Sequence, residues 1–467
     1  MARPADSSSS RGLHTLVETG FGTIGVPGIA VQVVDRSGVV DSVSFGELTV
    51  DSTVMLGSTS KSIAAIALMQ VVEAGALSLD DPAKHWLPQL VIPGDVTVQD
   101  LAHHRSGLAA DSTSGHLRFA KDRTFRYANQ NYNLLSQVIE AAAGVAYQQL
   151  LAERVFAPLG LDHSFIVGQG RDREIAQGHV GVLGHFVPAK LADYGPSSWI
   201  QAASGATCAS ASDSATILRM LLNDGELGGV RIISPDSVHT ILTNTVATHG
   251  SPAVDGPLGP EGDYGLGWIH KSLDGEDVFV HVGKVPAHTT VFVLIPERGI
   301  GITVTVNAGD FLLATPLIED LADSIIRHTL GTPLEPTTPA TSTCRRAALS
   351  LGYLGIVTLG LAGWLVRSER AGTASFFAYH LLLPLALVIG IRRVTGTPFA
   401  WLWRFAPDAA TALGFSTANM IASGALKAAR RRQRTRGCGR RCRKGGDGCG
   451  PRTDGTPDWT TRRAASS

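Results

Sequence analysis

An eleven-residue stretch near the start of the chain is apolar on nearly every side. It reads SIAAIALMQVV, from Ser62 to Val72, and Gly75 follows closely. A surface helix confines its apolar residues to one stripe, whereas a helix that is apolar all round must be buried. The segment therefore predicts a helix in the middle of a domain, ending near Gly75.

Strands are predicted on both sides of this helix along the chain. Gly28–Val34 and Val39–Gly46 lie before it, separated by a Ser37-Gly38 turn. Three more are predicted far downstream, at Val278–Val280, Thr290–Ile295 and Ile300–Val306. Helical spacing is found at Asn133–Gly144 and Leu317–Leu330. Strands at both ends with helices between them predict an α+β domain whose sheet unites its termini.

The zero formal net charge hides two different parts. Of the 40 basic and 40 acidic residues, 20 and 35 lie before Cys344, a difference of −15; the remaining 20 and 5 give +15. Only 17% of the residues are charged and 44% are hydrophobic, which excludes a disordered chain. The chain thus joins an acidic globular part to a basic part that differs from it in composition.

Three uncharged apolar runs fall in the basic part. Ala347–Val366 and Ala371–Ile391 each match the length of a membrane-spanning helix, although a buried helical hairpin is an alternative. Ala409–Leu426 is diluted by polar residues, so two or three membrane helices are predicted. The tail Lys427–Lys444 holds ten Lys and Arg and is expected to be cytoplasmic, which is favoured over a nucleic-acid patch.

The chain is accordingly expected to have five parts: a loose N-terminus (1–12), a globular domain (13–331), a Pro/Thr linker (332–346), a membrane region (347–426) and a basic tail (427–467). With three spans the globular domain lies outside the cytoplasm, and with two it lies inside. Because the start lacks the apolar region of a secretory signal, we expect that the chain start is misassigned. No metal is expected, since Cys438, Cys442 and Cys449 have no His or fourth Cys nearby.

Ser58 and Lys61 stand directly before the buried helix, in LGSTSK. A spacing of three residues puts both side chains on one face of a helical turn. A serine hydroxyl needs a neighbouring base to become a nucleophile, and burial can provide one by lowering the pKa of a lysine. The alternative is a serine N-cap followed by a first-turn lysine, and the spacing alone leaves both open.

Several segments, in order, resemble the serine β-lactamase family of class C type, with its penicillin-binding D-Ala-D-Ala peptidase and esterase relatives. They are Thr53–Pro88, His104–Leu108, Phe125–Tyr132, Ala203–Ala206, Tyr264–Trp268 and His281–Gly283. The resemblance spans about Leu13 to Leu330. It implies a β-lactamase/transpeptidase-like α+β fold, with an antiparallel sheet flanked by helices, and hydrolysis through an acyl-enzyme.

The same resemblance implies roles for three catalytic residues. Ser58 is similar to the acylated nucleophile, Lys61 to its partner and Tyr127 to a tyrosine that shuttles a proton. A phenol can do this if a neighbouring cation stabilises its anion, and Lys61 is the expected cation. A buried aromatic is the alternative for Tyr127.

Further residues are expected to bind the substrate. The resemblance implies that the Asn129 amide holds a substrate carbonyl. It identifies His281 and Gly283 with the H-x-G strand motif. It also implies that the backbone N–H groups of Ser58 and Lys284 form the oxyanion hole. An ordinary strand-end histidine is the alternative for His281. Tyr132 is expected in the core, and the Asp80-Asp81 pair is expected to cap a turn.

The chain departs from the family pattern after the H-x-G strand. Where the family usually reads G-x-P-G-F, this chain has Lys284-Val285-Pro286-Ala287-His288. A bulky, charged Lys284 is expected to affect access and loop geometry, although its N–H group is kept. The stretch from Phe45 to Thr53 is also shorter than usual.

Two functions remain open at this point. The first is a membrane-anchored, multi-pass serine hydrolase of the bacterial cell membrane, which acts on a peptide, lactam or ester carbonyl without a cofactor. Its hydrolase domain is expected to be extracytoplasmic. Its expected partners are a small-molecule or peptide substrate, cell-wall derived in one version, and the lipid bilayer, with no nucleic acid. The second is a non-catalytic penicillin- or peptidoglycan-binding sensor coupled to its spans.

Overall fold

The structure is a computed structural model of the chain. It describes residues 7–110, 112, 116–189, 200–251, 254, 256–259, 261–310, 312, 314–332, 339–365, 376–385, 389 and 406–444.

Twelve helices are present in the described residues. They are α1 Ser7–Ile24, α2 Ser60–Glu73, α3 Ala83–Trp86, α4 Val98–Ala102, α5 Asn129–Ala143, α6 Tyr147–Leu151, α7 Ala157–Leu159, α8 Ala211–Leu222, α9 Pro235–Thr243, α10 Ala314–Leu330, α11 Pro339–Leu365 and α12 Pro407–Lys444. Tighter or wider helical turns occupy Gly57–Thr59, Ala152–Phe156, Asp172–Glu174, Ala202–Ala206 and Ala378–Leu382.

Fifteen strands lie in the same described residues. They are β1 Gly28–Asp35, β2 Val39–Gly46, β3 Val54–Met55, β4 Phe165–Ile166, β5 His179–Val182, β6 His185–Pro188, β7 Thr207–Ala209, β8 Glu226–Leu227, β9 Val230–Arg231, β10 Val246–Ala247, β11 Asp263–Tyr264, β12 Ile269–Leu273, β13 Glu276–Val285, β14 His288–Ile295 and β15 Ile300–Val306.

The main sheet joins the two ends of the globular domain, as predicted. Its eight antiparallel strands run in the order β10-β11-β12-β13-β14-β15-β1-β2. The strand β1 pairs with β15 from Ile29 opposite Val306 to Asp35 opposite Ile300. Because β1 and β15 are central, their side chains are buried on both faces and read as nearly continuous apolar runs.

Helices cover both faces of the sheet. The helices α1 and α10 pack on one face, where Val17 and Leu321 meet the side chains of Val291 and other strand residues. On the opposite face lies a larger core that contains α2, and every residue from Ser60 to Met69 is buried. The predicted central helix is therefore confirmed, and the sheet with flanking helices gives the α+β fold.

Two predicted irregular segments contain helix instead. The helix α1 begins at Ser7, inside the range expected to be a loose terminus, because Leu13 and Val17 bury their side chains against the α10 side of the sheet. The helix α11 begins at Pro339, inside the range expected to be an extended linker. Residues 1–6 and 333–338 lie outside the described residues.

The predicted membrane region is not supported. Among the helices that the structure describes, none combines the length and the apolar character that a bilayer crossing requires. Part of the first and third apolar runs packs instead into a small buried cluster, in which Ala409 and Leu413 of α12 contact Tyr353 and Ile356 of α11. Within the basic part, residues 366–375, 386–388, 390–405 and 445–467 lie outside the described residues, and they include part of the second run.

The chain divides into two compact units whose boundaries fall inside α11 and α12. The first contains Met1–Ile356 and Val388–Gly414, and the second contains Val357–Leu387 and Phe415–Ser467. Within the described part of the second unit, the Trp364 indole donates a hydrogen bond of 2.9 Å to Asn419. The first unit thus includes residues on both sides of residue 331.

Candidate active site

Ser58 lies in a tight turn between β3 and α2. The turn begins at Gly57, whose φ of +58° is in the left-handed region. A Cβ on Gly57 would lie 2.8 Å from the backbone nitrogen of Lys284, so a glycine is required here for both conformation and space. Ser58 itself is half-buried, at the N-terminal end of α2, where backbone N–H groups are unpaired within the helix.

Lys61 lies one turn further along α2 and is fully buried. Its Nζ is 3.0 Å from Ser58 Oγ, 2.8 Å from Asn129 Oδ1 and 2.7 Å from the carbonyl oxygen of Ser204. These three partners are neutral, and burial lowers the pKa of Lys61 well below its ordinary value. Nζ lies within donor distance of all three oxygens; in its neutral form the amine has two hydrogens for the two carbonyl oxygens and a lone pair that can take the proton of Ser58.

Tyr127 comes to the same place from the loop before α5. Its ring centroid is 4.9 Å from Lys61 Nζ, and its hydroxyl is 3.4 Å from His281 Nε2. Burial raises the pKa of Tyr127, while a hydrogen bond with Ser58 opposes that rise. The sequence analysis expected a cation to stabilise the phenolate. Burial instead lowers the pKa of Lys61, which disfavours the cation, and raises the pKa of Tyr127, which favours the protonated phenol.

His281 projects from β13 and has one ring nitrogen already engaged. Its Nδ1 is 2.6 Å from the carbonyl oxygen of Gly267, so Nδ1 carries the hydrogen and donates it there. The other nitrogen, Nε2, is then an acceptor that faces the Tyr127 hydroxyl. Burial lowers the pKa of His281 to about 3. The neutral imidazole is therefore the favoured form at neutral pH.

Gly283 allows β13 to pass directly beside the nucleophile turn. A Cβ on this residue would lie 1.8 Å from the carbonyl oxygen of Leu56 and 2.3 Å from Thr290 Oγ1. The same carbonyl accepts hydrogen bonds from Thr59 Oγ1 at 2.8 Å and from Thr290 Oγ1 at 2.7 Å. The turn is therefore fastened to the sheet at the one place where the strand has no side chain.

Lys284 directs its side chain away from Ser58. Side chains alternate along a strand, so His281 and Gly283 share the nucleophile face while Lys284 lies on the face covered by α10. Its Nζ forms an ion pair of 2.6 Å with Glu319 of α10. The expected obstruction by a bulky lysine is therefore absent, and the backbone N–H group is what Lys284 offers to the site.

Replacing Lys284 by methionine is expected to lower the free energy of unfolding by about 1–3 kcal/mol, because the mostly buried Glu319 loses this partner. Thermal and urea unfolding measure the effect. The matched control is Arg298→Met, which breaks an ion pair with Glu276 whose arginine is about half exposed and which is expected to cost less than about 1 kcal/mol. Equal losses in the two variants would contradict the burial argument.

Two residues near Lys61 and Tyr127 had no predicted role. His104, at φ +56°, is fully buried, and its ring centroid is 4.2 Å from that of Tyr127. Its Nδ1 accepts a hydrogen bond of 3.3 Å from the Ala128 N–H group. Ser204 provides the carbonyl that fixes Lys61. Both residues lie in segments that carry the family resemblance, and that resemblance is the signal from which a role for them could have been predicted.

Other residues singled out in the sequence have structural contacts. Asp81 accepts from the N–H group of Ser78 at 3.0 Å and so closes a turn, as predicted. Tyr132 is fully buried and donates to the carbonyl of Ala102, as predicted for a core residue. The side chains of Cys438, Cys442 and Cys449 lie outside the described part of the chain.

Asn129 begins α5 and faces Lys61. Because its Oδ1 accepts from the amine, its Nδ2 hydrogens are the ones that can donate to a substrate carbonyl. The structure therefore brings Ser58, Lys61, Tyr127, Asn129 and His281 together from distant segments.

The chain is similar in sequence to known proteins. It is 28% identical over 339 residues to "Penicillin-binding protein 4" of Amycolatopsis lactamdurans, which covers 66% of this chain and 86% of that protein. It is 20% identical over 437 residues to "Protein flp" of Staphylococcus aureus strain MW2, with 82% of each chain covered.

Solved structures share the fold. A penicillin-binding protein homologue from Pyrococcus abyssi superposes with a TM-score of 0.58 at 24% identity, over 75% of this chain and 81% of that one. The D-amino acid amidase of Ochrobactrum anthropi gives 0.57 at 18% identity, over 69% and 99%. The sequence profile of the family described as Beta-lactamase matches residues 13–319, which is more than half of the chain. The protein therefore belongs to the beta-lactamase family of serine hydrolases.

Proposed function

We propose that the protein is an active hydrolase that cleaves an amide or ester carbonyl through an acyl-enzyme on Ser58. The observation that carries this proposal is the contact of 3.0 Å between Ser58 Oγ and a buried lysine whose other two partners are carbonyl oxygens. Because burial lowers the pKa of this lysine, it is suited to take the hydroxyl proton of the serine beside it.

The acylation step can be followed proton by proton. Lys61 takes the proton of Ser58 as Oγ bonds to the substrate carbonyl carbon, and the N–H groups of Ser58 and Lys284 stabilise the oxyanion. Collapse of this intermediate expels the leaving group, which receives the Tyr127 proton. Lys61 then returns its proton to Tyr127. Deacylation follows the same path, with water in place of the leaving group.

The experiment that tests this function uses a fluorescent fluorophosphonate. The full chain is expected to be labelled on one residue, and Ser58→Ala is expected to lose labelling and ester hydrolysis, the latter by at least about 10⁴-fold. Peptide mass mapping identifies the modified residue. Exposed Ser37 offers the control variant Ser37→Ala, which should be labelled as the parent is. Equal labelling of Ser58→Ala and the parent would refute the proposal.

Turnover separates this function from the binding sensor. An enzyme releases its acyl group and hydrolyses repeatedly, whereas a sensor forms an adduct on Ser58 that persists without ester hydrolysis. The ratio of product to protein after prolonged incubation distinguishes them, and a ratio that never exceeds one favours the sensor.

The cellular location stays a prediction. It rests on the composition of the basic part, with ten Lys and Arg between Lys427 and Lys444 and apolar runs before them. Separation of membranes from the soluble fraction of cells expressing the full chain, with and without a carbonate wash, tests the expected bilayer partner.

A further inference from the structure

We propose that His104 is a positioning residue for Tyr127, which it holds where the phenol can deliver its proton to the leaving group. The inference rests on the proposed function, in which Tyr127 supplies that proton. His104 acts in this scheme through the two neighbours of Tyr127 in the chain and not on the substrate.

The first step concerns the segment that carries Tyr127. The described residues 121–128, which we call the tyrosine loop, form no helix or strand before α5 begins at Asn129. Loops move more than the elements that they connect, so a functional loop residue depends on a rigid scaffold to position it. A proton donor must come within about 2.6–3.2 Å of its target. The tyrosine loop therefore needs an anchor close to Tyr127.

His104 provides an anchor on each side of Tyr127. Its carbonyl oxygen accepts a hydrogen bond of 2.8 Å from the Arg126 N–H group, and its Nδ1 accepts one of 3.3 Å from the Ala128 N–H group. The imidazole also packs on the phenol, with 4.2 Å between the ring centroids and an angle of 32° between the planes. One residue thus fixes the backbone before and after Tyr127 and contacts its ring.

A residue of α5 fixes Nδ1 of His104 as the acceptor. Asn131 Oδ1 accepts a hydrogen bond of 2.5 Å from Ser106, so Asn131 Nδ2 is the atom that donates to His104 Nδ1, at 3.1 Å. Because two donors converge on Nδ1, the hydrogen of the neutral imidazole is on Nε2. Burial lowers the pKa of His104 well below its ordinary value, which favours this neutral form.

The conformation of His104 is unusual enough to argue for a role. Its φ of +56° lies in the left-handed region, which is uncommon for a residue other than glycine. Its buried Nε2 has no hydrogen-bond partner among the described residues, whereas most buried polar atoms are paired. Such outliers cluster at functional sites, where the surrounding structure compensates for them. We assign this compensation to the bonds between His104 and the tyrosine loop.

The test uses two butyrate esters that differ in the leaving group. The 4-nitrophenolate of 4-nitrophenyl butyrate leaves without a proton, whereas the alkoxide of 2,2,2-trifluoroethyl butyrate needs one. Both esters form the same butyryl group on Ser58, and kcat/KM reports the steps up to release of the leaving group. The readout is the aryl-to-alkyl ratio of kcat/KM for the full chain, which a loss of part of the folded protein does not change.

Two variants of His104 differ in where they place an acceptor. His104→Gln moves the side-chain oxygen beyond the Nδ1 position and is expected to raise the ratio by at least about 10-fold, because a displaced phenol delivers its proton less well. His104→Asn keeps an oxygen in place of Nδ1 and tolerates a positive φ, so we expect a ratio within about 3-fold of the parent's. If His104→Gln does not fold, His104→Ala takes its place, with the same expectation.

Either of two results overturns the inference. One is a ratio in the variant without the acceptor that rises by less than about 10-fold. The other is a rise in His104→Asn as large as in that variant, because the retained acceptor would then have no effect.

A second pair of variants tests whether His104 acts through Tyr127. Tyr127→Phe keeps the ring but removes the proton, and it is expected to raise the ratio by at least about 10-fold. Adding His104→Gln to Tyr127→Phe should change the ratio by less than about 2-fold, because the group that His104 positions is already absent. A larger change in the double variant would mean that His104 acts by another route, contrary to the proposal.

Fluorophosphonate labelling of Ser58, run in parallel, separates this failure from that of the proposed function. If Ser58 of the parent is not labelled, the proposed function itself fails. If Ser58 is labelled and the parent hydrolyses the 4-nitrophenyl ester, an unchanged ratio in His104→Gln counts against the positioning role alone. A parent that leaves the trifluoroethyl ester uncleaved counts against it in the same way.

Discussion

Replacing Lys61 by methionine is expected to reduce kcat/KM for an ester probe by about 10³-fold or more. The substitution keeps an unbranched apolar stem in the buried site but removes the lone pair that accepts the Ser58 proton. General-base assistance to a serine accounts for losses of this size. Stopped-flow measurement of acylation, with a fluorogenic ester, gives the rate directly.

The controls for this prediction separate charge from basicity. Lys61→Arg keeps a cation but cannot accept a proton at any accessible pH, so we expect it to be as inactive as methionine. Exposed Lys84 provides the matched surface variant Lys84→Met, which should retain parental rates. Activity of Lys61→Arg within 10-fold of the parent would show that the lysine acts as a fixed charge and not as a base.

The pH profile gives a second readout of the same residue. Burial lowers the pKa of Lys61, so its neutral form extends far below the usual range of a lysine. The rate is expected to fall on the acid side as Lys61 takes up a proton, because the protonated form cannot act as a base. The residual activity of Lys61→Met should lack this acid limb.

Replacing Gly283 by alanine is expected to reduce Ser58 labelling by about 100-fold or more. The new Cβ would lie 1.8 Å from the Leu56 carbonyl oxygen, which is backbone and cannot rotate away. Either β13 or the nucleophile turn must shift, and a displacement of about 1 Å of reacting groups costs rates of this order. The labelling rate and the melting temperature are the measurements.

The control for Gly283 is another glycine of the same sheet region. A Cβ on Gly38, in the turn between β1 and β2, would meet nothing within 4 Å, so Gly38→Ala should change the labelling rate by less than 2-fold. Full labelling of Gly283→Ala would mean that the turn tolerates displacement from the strand, contrary to the close approach described above.

Much of the fold was predictable because its signals are local. The apolar run Ser62–Val72 could only be a buried helix, and the structure has α2 at Ser60–Glu73. Val39–Gly46 and Ile300–Val306 were predicted as strands with the observed bounds. The pairing of the terminal strands followed from the distribution of strands along the chain.

The orientation and protonation of the site residues were not predictable in the same way. Period-two alternation along β13 already separates Lys284 from His281, but both faces of this strand are buried, which hides the pattern. The lowered pKa of Lys61 comes from its burial in the folded domain, where its contacts include Asn129 and Ser204, which are remote in sequence. Contacts with residues so distant in the chain cannot be predicted from the residues next to the lysine in the sequence.

Apolar composition alone was ambiguous at the basic end. A helix buried against its neighbours and a helix in a bilayer use the same residues, so Tyr353 and Ile356 fitted either interpretation. Their contacts with Ala409 and Leu413 require a distant segment, which composition does not encode.

The pairing of β1 with β15 also constrains how the domain is made. Even the nearest paired residues, Asp35 and Ile300, are 265 positions apart along the chain. During synthesis, β1 therefore emerges from the ribosome long before its neighbour exists, and one of its edges stays unpaired while most of the domain is translated. A topology with such distant contacts folds slowly, and chaperone dependence during expression is its natural consequence.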